Sequence, residues 1–322
     1  YKPLDNKTTT CTYEYSVEWD HIVPLNDKET MVPYKICSFD IEASSSHGDF
    51  PLPVKNYRKL ATNIVEYVNN RNGLKSLQLK GLLNSMIMTA FGLSDDMINS
   101  IDRVYPKTEI IKEDIESKFK IWISTNVDKN YEEEIDSILN HFNYDDDDDN
   151  NYYNKDKSIK RDYNDVCDLL LDYSLSYEEK INQLTSTLKI FPKLEGDKVT
   201  FIGSTFMKYG DKIPYKNHCL VLNTCTNPND NQEIVECSSE KDVLLKWTQL
   251  IQEENPDIII GYTIFGFDYE FLFRRALENG CHFDFLQLSR NIGESCFETD
   301  RQTLLPKIEE SKIVIASGEH NL

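Results

Sequence analysis

The sequence lacks any segment suited to crossing or entering a membrane. None of its apolar runs approaches the roughly 20 residues that span a bilayer. Nothing near its start has the basic, apolar and small-residue order of a signal peptide. These absences argue against a membrane protein and predict an intracellular one. Its 322 residues suffice for one large domain with an insertion or for two domains.

Closely paired cysteines are also missing. The eight cysteines contain no Cys-x-x-Cys pair, and the six histidines do not join them at zinc-ligand spacing. The nearest approach is His218 and Cys219 with Cys225. We therefore expect reduced, mostly buried thiols rather than a zinc site.

An excess of positive charge is missing as well. Lysine and arginine number 35 against 55 aspartates and glutamates, so the formal net charge is −20. Because phosphate contacts are normally made by lysine and arginine, this balance argues against a free-standing nucleic-acid clamp. It does not exclude a nuclease active site. Any strong grip on DNA is expected to come from parts outside this chain.

What the sequence does contain is a pair of acids in a strongly apolar, strand-like segment, "YKICSFDIEASSSHGDFPLP" at 34–53. Side chains alternate between faces along a strand, so Asp40 and Glu42 share one face and Phe39 lies on the other. One interpretation is an ordinary half-buried strand with its polar face in water. The other is a site for a hard divalent cation such as Mg²⁺, which takes several oxygen ligands. A third acid would decide between them.

A third acid, Asp268, lies in "GYTIFGFDYEF", between a strand-like and a helical pattern. We interpret "DIIIGY" as a buried strand and "DYEFLFRRALENG" as the helix that follows. The simplest role for Asp268 is a helix cap, because aspartate is favoured at helix starts. However, open α/β folds gather their sites at the carboxyl ends of strands. Asp268 is therefore also a candidate to join Asp40 and Glu42.

The chain divides into segments of different character. Residues 1–33 are interpreted as the edge of a preceding domain, and a core is expected over 34–54 and 195–322. Residues 55–194 show apolar residues at helical spacing and predict a helical block. Within that block, "NYDDDDDNNYYNKDK" predicts a disordered acidic loop at about 143–160. Because the chain opens without methionine and stops without a closing helix, we expect a piece of a longer protein.

Several of these stretches together resemble one protein family. "SFDIE" followed by "HGDFP", and later "NPDIIIGYTIFGFDYEFL", resemble the first and second proofreading-exonuclease motifs of family B DNA polymerases, especially the delta-like enzymes of eukaryotes and large DNA viruses. "EGDKVTFIGSTF" and "NHCLVLNTC" resemble the family's intervening strands, and "SGEHNL" resembles the segment before its third motif. The resemblance covers roughly 34–54 and 195–322. It implies an α/β, ribonuclease H-like fold with a mixed sheet and a large helical insertion at 55–194.

The resemblance also implies a role for the acids. Asp40, Glu42 and Asp268 would be three of four catalytic carboxylates that hold two magnesium ions, for which manganese can substitute. Such a metal pair activates a water and stabilises the charged transition state of phosphodiester hydrolysis. The family places its fourth carboxylate in the third motif, beyond residue 322. The chain alone is therefore expected to be nearly inactive.

Two residues are assigned to nucleic-acid binding. Phe267 is a candidate to stack on the terminal base, since aromatic stacking grips a single strand regardless of its sequence. Phe39 is expected to pack in the core instead. Thr263 stands where the family generally has asparagine, and a hydroxyl cannot offer the two-ended hydrogen bonding of an amide. The expected substrate contact at Thr263 is therefore altered.

The first functional hypothesis is the proofreading 3′→5′ exonuclease region of a replicative DNA polymerase. Its expected partners are a single-stranded primer 3′ end, the primer–template and the rest of the polymerase chain, with a sliding clamp as a further candidate. Its expected location is the nucleus or a cytoplasmic viral factory. The second hypothesis is a catalytically silent ribonuclease H-like scaffold that binds primer–template or replication partners. A third, an RNA exonuclease such as a deadenylase, shares the acids but not the "GYTIFGFDY" context.

Overall fold

The computed structural model divides the chain into two compact units. The sheet unit comprises residues 1–53 and 196–322, and the helical unit comprises residues 54–195. The structure describes residues 7–30, 32–45, 48, 50–71, 73–95, 97–127, 163–227, 231–264, 267–294, 296, 308–309 and 312–313. The acidic tract expected at about 143–160 lies outside the described residues.

The described residues form short strands and helices of ordinary length. The helices, in chain order, are α1 (Arg58–Asn69), α2 (Ser76–Ala90), α3 (Lys112–Ser124), α4 (Val166–Leu171), α5 (Tyr177–Thr187), α6 (Glu240–Glu254), α7 (Asp268–Glu278) and α8 (His282–Phe285), with 3-10 turns at Trp19–His21 and Leu188–Ile190. The strands are β1 (Lys35–Ser44), β2 (Lys198–Lys208), β3 (Lys216–Leu222), β4 (Glu233–Cys237), β5 (Ile258–Ile260), β6 (Ile308–Glu309) and β7 (Lys312–Ile313). Within the described ranges, no helix has the length and apolar character needed to cross a membrane.

The first five strands form one mixed sheet in the order β4-β3-β2-β1-β5. β1 runs antiparallel to β2 and parallel to β5, while β3 runs antiparallel to β2 and parallel to β4. β6 and β7 pair with each other as a separate antiparallel ladder. The mixed sheet with its helices confirms the α/β, ribonuclease H-like fold that the sequence predicts. The sequence patterns did not predict β4.

Trp247 of helix α6 lies at the centre of the core of the sheet unit. It is fully buried, and its ring centroid lies 4.8 Å from that of Phe39 and 6.0 Å from that of Phe285. Its indole N–H donates to the Ser204 hydroxyl at 3.2 Å, so the buried polar atom is satisfied. Phe39 is only 3% exposed, which confirms the prediction that it packs in the core. The core thus anchors the buried face of β1.

The prediction that "DIIIGY" forms a buried strand is wrong about burial. β5 covers only Ile258–Ile260, and the side chains of Ile258 and Ile260 are 42% and 48% exposed. β5 is an edge strand with β1 as its neighbour, and Ile260 is in register with the exposed Ser38. Because residues in register share a face, Ile260 lies on the same open face of the sheet as Asp40.

The helical unit has a core of its own, which α1 to α5 and the segment after α5 supply. Helix α1 buries residues at helical spacing: Leu60, Ala61, Ile64, Val65 and Val68. Trp122 is fully buried beside Phe119 and Phe191, and its indole N–H donates to Thr187 at 2.9 Å. The predicted large helical insertion is therefore confirmed where the structure describes it, although the sequence patterns did not predict α3.

The eight cysteines are free thiols, as the sequence predicts. Five of them are buried: Cys37, Cys167, Cys237, Cys281 and Cys296. Burial raises the pKa of the Cys37 thiol to about 12 and that of Cys167 to about 11, so both stay protonated at neutral pH.

Candidate active site

Strand β1 has an apolar face and an acidic face. Phe39 and Ile41 are buried, whereas Asp40 and Glu42 are exposed on the opposite face. On the neighbouring strand, Asp40 is in register with Gly203, and a Cβ placed there would have no atom within 4 Å. On the side that faces β2, the Asp40 carboxylate therefore borders open space.

Asp268 is the first residue of helix α7, and its side chain is only 2% exposed. Burial is the largest cause that raises the pKa of its carboxyl, and the negative charge of Asp40 is the second. Hydrogen bonds from the backbone amides of Asp268 and Ile41 act in the opposite direction. The structure therefore brings Asp40 and Asp268 together.

This arrangement favours a cation site over a helix cap. The N-cap position of α7 is occupied by Phe267, whose side chain makes no capping hydrogen bond. Asp268 instead faces a second carboxylate, which is unfavourable unless a positive charge or a proton lies between them. Hard, oxygen-rich ligands of this kind suit Mg²⁺ or Mn²⁺. The two residues thus fit a divalent metal ion.

Glu42 is less closely associated with this pair. It lies on the exposed face of β1 two residues after Asp40, and the register with β2 shifts between Glu42 and Ala43. Its backbone carbonyl accepts a hydrogen bond from the Thr200 hydroxyl at 3.0 Å. Within the described part of the chain, no three His, Cys, Asp or Glu side chains are grouped to hold a metal ion. The structure thus brings two of the three predicted acids together.

Two aromatic side chains of the predicted motifs, Phe50 and Phe267, touch each other. Phe267 directly precedes Asp268, is half-buried, and has its ring centroid 5.5 Å from that of Phe50. Phe50 is 72% exposed. The sequence interpretation assigned no role to Phe50, although this residue stands in the "HGDFP" motif. An exposed aromatic directly after a motif acid is the signal that could have identified it.

Thr263 adopts a backbone conformation that its side chain disfavours. Its φ angle is +55°, and among the described residues the other positions with positive φ are asparagines and glycines. Its carbonyl accepts the amide of Phe267 at 3.0 Å, so this turn leads directly into α7. A β-branched residue in the left-handed region is strained, whereas asparagine tolerates that region. Backbone geometry thus explains why asparagine would suit this position.

Changing Asp268 to asparagine should stabilise the metal-free chain at neutral pH by on the order of 1 kcal/mol, because it removes a like charge beside Asp40. The raised pKa means that the folded state holds this proton more tightly than the unfolded state does. Wild-type stability therefore falls as pH rises from the ordinary aspartate pKa through the raised value. The stability gained by Asp268→Asn should therefore be present above the raised pKa and absent below the ordinary aspartate pKa.

The measurement is thermal unfolding in EDTA and in Mg²⁺, with the exposed Asp211→Asn variant as the control. Mg²⁺ should raise the melting temperature of the wild type and of the control, but not that of Asp268→Asn. An equal Mg²⁺ response in all three proteins would contradict a metal site at Asp268.

Changing Thr263 to asparagine should raise the free energy of unfolding of the sheet unit by about 1 kcal/mol, because it relieves left-handed strain. Thr263→Val is the matched control, since valine keeps the branched Cβ and should bring no gain. Urea denaturation of both variants measures the difference. Equal stabilisation by valine would show that the hydroxyl, and not the backbone conformation, causes the cost.

Comparison with known proteins shows which family this chain is similar to. The model of the DNA polymerase family B exonuclease domain matches residues 1–61 and 107–315. A DNA polymerase of Phaeocystis pouchetii virus is 39% identical over 99% of this chain and 33% of its own length. A DNA polymerase of Pyramimonas orientalis virus is 30% identical over 89% of this chain and 23% of its own length.

A more distant relative is the DNA polymerase delta catalytic subunit of Caenorhabditis elegans, which is 36% identical over 27% of this chain and 8% of its own length. The chain thus spans a third or less of these relatives. The family match covers most of the chain, including Asp40 and Asp268. The chain belongs to the family B DNA polymerases, and the part of that family that it represents is the exonuclease domain.

Proposed function

We propose that the chain is the proofreading 3′→5′ exonuclease region of a replicative DNA-directed DNA polymerase. It would remove nucleotides from the 3′ end of a primer by metal-assisted hydrolysis. The observation that carries this proposal is the buried carboxylate of Asp268 beside that of Asp40. Two crowded acids, one on a strand and one at a helix start, are costly for stability and suited to metal-dependent phosphodiester chemistry.

Asp40 and Asp268 would hold the metal, and Glu42 is the third proposed ligand. Two bound Mg²⁺ ions, or Mn²⁺ in their place, would supply the Lewis acidity and the positive charge that phosphodiester hydrolysis needs. The rigid strand β1 orients Asp40, and the first turn of α7 orients Asp268. The amide of Ile41, which hydrogen-bonds to Asp40 at 3.0 Å, restricts that carboxylate further.

Phe50 and Phe267 would receive the terminal base. Their rings contact each other, Phe267 directly precedes Asp268 in the sequence, and Phe50 is largely exposed. Stacking on aromatic rings is worth about 1–3 kcal/mol per base and does not depend on base identity. A proofreading site must accept any mismatched terminus, so a sequence-tolerant contact suits it. Thr263, exposed on the turn before α7, is a further proposed substrate contact.

The whole protein's partners follow from the same proposal. They are a single-stranded primer end, the primer–template and the rest of the polymerase chain, with a sliding clamp as a further proposed partner. Phosphate binding by Lys and Arg would come mainly from other parts of the polymerase, because this chain carries a net charge of −20. Its location would be intracellular, at the nucleus or a cytoplasmic viral factory where DNA is replicated.

A second candidate function is a catalytically silent scaffold that binds primer–template or replication partners. The observation that favours it is the lack of a three-ligand metal cluster among the described residues. The two functions differ in one measurable respect. A scaffold would bind DNA equally well with and without Mg²⁺ and would release no nucleotides.

Changing both Asp40 and Glu42 to alanine in the intact parent polymerase should abolish exonuclease activity but preserve nucleotide addition. Removing metal ligands acts locally, and nucleotide addition is expected to use other carboxylates. The measurement is nucleotide release from a labelled mismatched primer, beside primer extension on the same template. Equal loss of both activities, with an intact circular dichroism spectrum, would contradict the proposal. Unchanged nucleotide release would contradict it as well.

Residues 1–322 alone should degrade single-stranded DNA far more slowly than a chain extended through the third motif. The expected difference is orders of magnitude, since one missing catalytic carboxylate can cost several kcal/mol of transition-state stabilisation, or roughly tenfold in rate per 1.4 kcal/mol. Release of labelled 3′-terminal nucleotides by the two proteins measures it. Rapid, Mg²⁺-dependent digestion by both would show that residues 1–322 already contain the complete site.

A further inference from the structure

Arg275 is a buried arginine on helix α7, two turns after Asp268. It is 1% exposed, and its guanidinium donates to both carboxylate oxygens of Glu240 at 2.8 and 2.6 Å. One of its nitrogens also donates to Glu278 at 2.6 Å and to the backbone carbonyl of Pro53 at 3.0 Å. A planar guanidinium group held by these hydrogen bonds has one orientation, because each bond constrains the others.

The Pro53 carbonyl belongs to a narrow crossing of two chain segments, which we call the neck and define as Leu52, Pro53, Gly196 and Asp197. The Leu52 amide donates to the Asp197 carboxylate at 2.9 Å, and the Asp197 amide donates to the Leu52 carbonyl at 2.8 Å. At Gly196, an added Cβ would lie 1.9 Å from the Pro53 oxygen and 2.3 Å from the Arg275 guanidinium. Only glycine allows this close approach.

The neck is joined to the aromatic pair by a short, stiff segment. From Phe50 to Pro53 the chain reads "FPLP", and its two prolines favour an extended backbone. Phe50 contacts Phe267 at one end, and Pro53 contacts Arg275 at the other. The stiff segment between these two contacts restricts the position of Phe50.

We propose that Arg275 and the neck are positioning residues of the exonuclease site. They fix the segment 50–53 along α7, and this holds the Phe50 ring against Phe267, where the terminal base is bound. The inference rests on the proposed exonuclease function and adds a group of residues that touch neither the metal nor the DNA. Because the chain leaves for the helical unit after Pro53 and returns at Gly196, that unit is attached at the element that positions Phe50.

The decisive variant is Gly196→Ala in the intact parent polymerase. The new methyl group would push the Pro53 carbonyl away from Arg275 while every charge stays in place. Gly81→Ala is the matched control, since a Cβ at Gly81 in α2 meets no atom within 4 Å. Asp197→Ala tests the neck independently of the steric clash, and Asp197→Asn retains an acceptor for the Leu52 amide.

Gly196→Ala and Asp197→Ala should raise KM for a single-stranded primer end by roughly tenfold, the scale of one lost base stack, with kcat nearly unchanged. A 2-aminopurine base at the primer terminus should become more fluorescent in these complexes, because it stacks less. Gly81→Ala and Asp197→Asn should behave like the wild type in both measurements. If the neck had a merely structural role, kcat, kcat/KM and the melting temperature of these variants would fall together. Stacking of the terminal base would then not change selectively.

Wild-type KM and wild-type 2-aminopurine fluorescence in folded Asp197→Ala would overturn the proposal, whatever Gly196→Ala does. A parallel fall of kcat and melting temperature in both neck variants would also overturn it. Failure of the exonuclease function is distinguishable from either result. In that case the wild-type polymerase itself would release no nucleotides.

Discussion

The crowding of Asp40 and Asp268 is the constraint that the surrounding fold must sustain. Their carboxylates repel, and Asp268 is almost completely buried, so a loosely held pair would separate or take up a proton. The backbones of the two acids cannot easily move apart. β1 is hydrogen-bonded to a strand on each side, and the side chain of Phe39, which directly precedes Asp40, is packed against Trp247. Core packing thus maintains an electrostatic arrangement that is unfavourable by itself.

Helix α7 links the position of Asp268 at its start to the position of Arg275 near its end. Its first residue supplies the second carboxylate, and its last turns bury Arg275 among two glutamates and a backbone carbonyl. A buried ionic network of this kind contributes little net stability, because desolvation offsets the attraction between the charges. What it contributes is a defined position. If the helix slid or rotated, Arg275 would lose several bonds at once, and Asp268 would move with it.

The local parts of this arrangement could be predicted from the sequence. Alternation along β1 separated Phe39 from Asp40 and Glu42, and the pattern around Asp268 indicated a helix start. Other features depend on contacts between distant segments. The register shift after Glu42, the exposure of Ile258 at the sheet edge and the bonds of Arg275 to Glu240 and Pro53 leave no periodic signal. Phe50 was missed because a single aromatic residue has no periodicity.

The neck also explains how a large helical unit can interrupt a sheet without disturbing it. Leu52 and Asp197 exchange backbone and side-chain hydrogen bonds, so the two ends of the interruption already lie together in the sheet unit. The entropy of closing an inserted segment grows only with the logarithm of its length. The helical unit buries its own apolar residues, among them Trp122 and Phe191, and so offsets its own cost of ordering. The sheet unit has only to hold the two ends of the inserted segment together at the neck. The geometry of the neck depends on Gly196, Asp197 and Arg275.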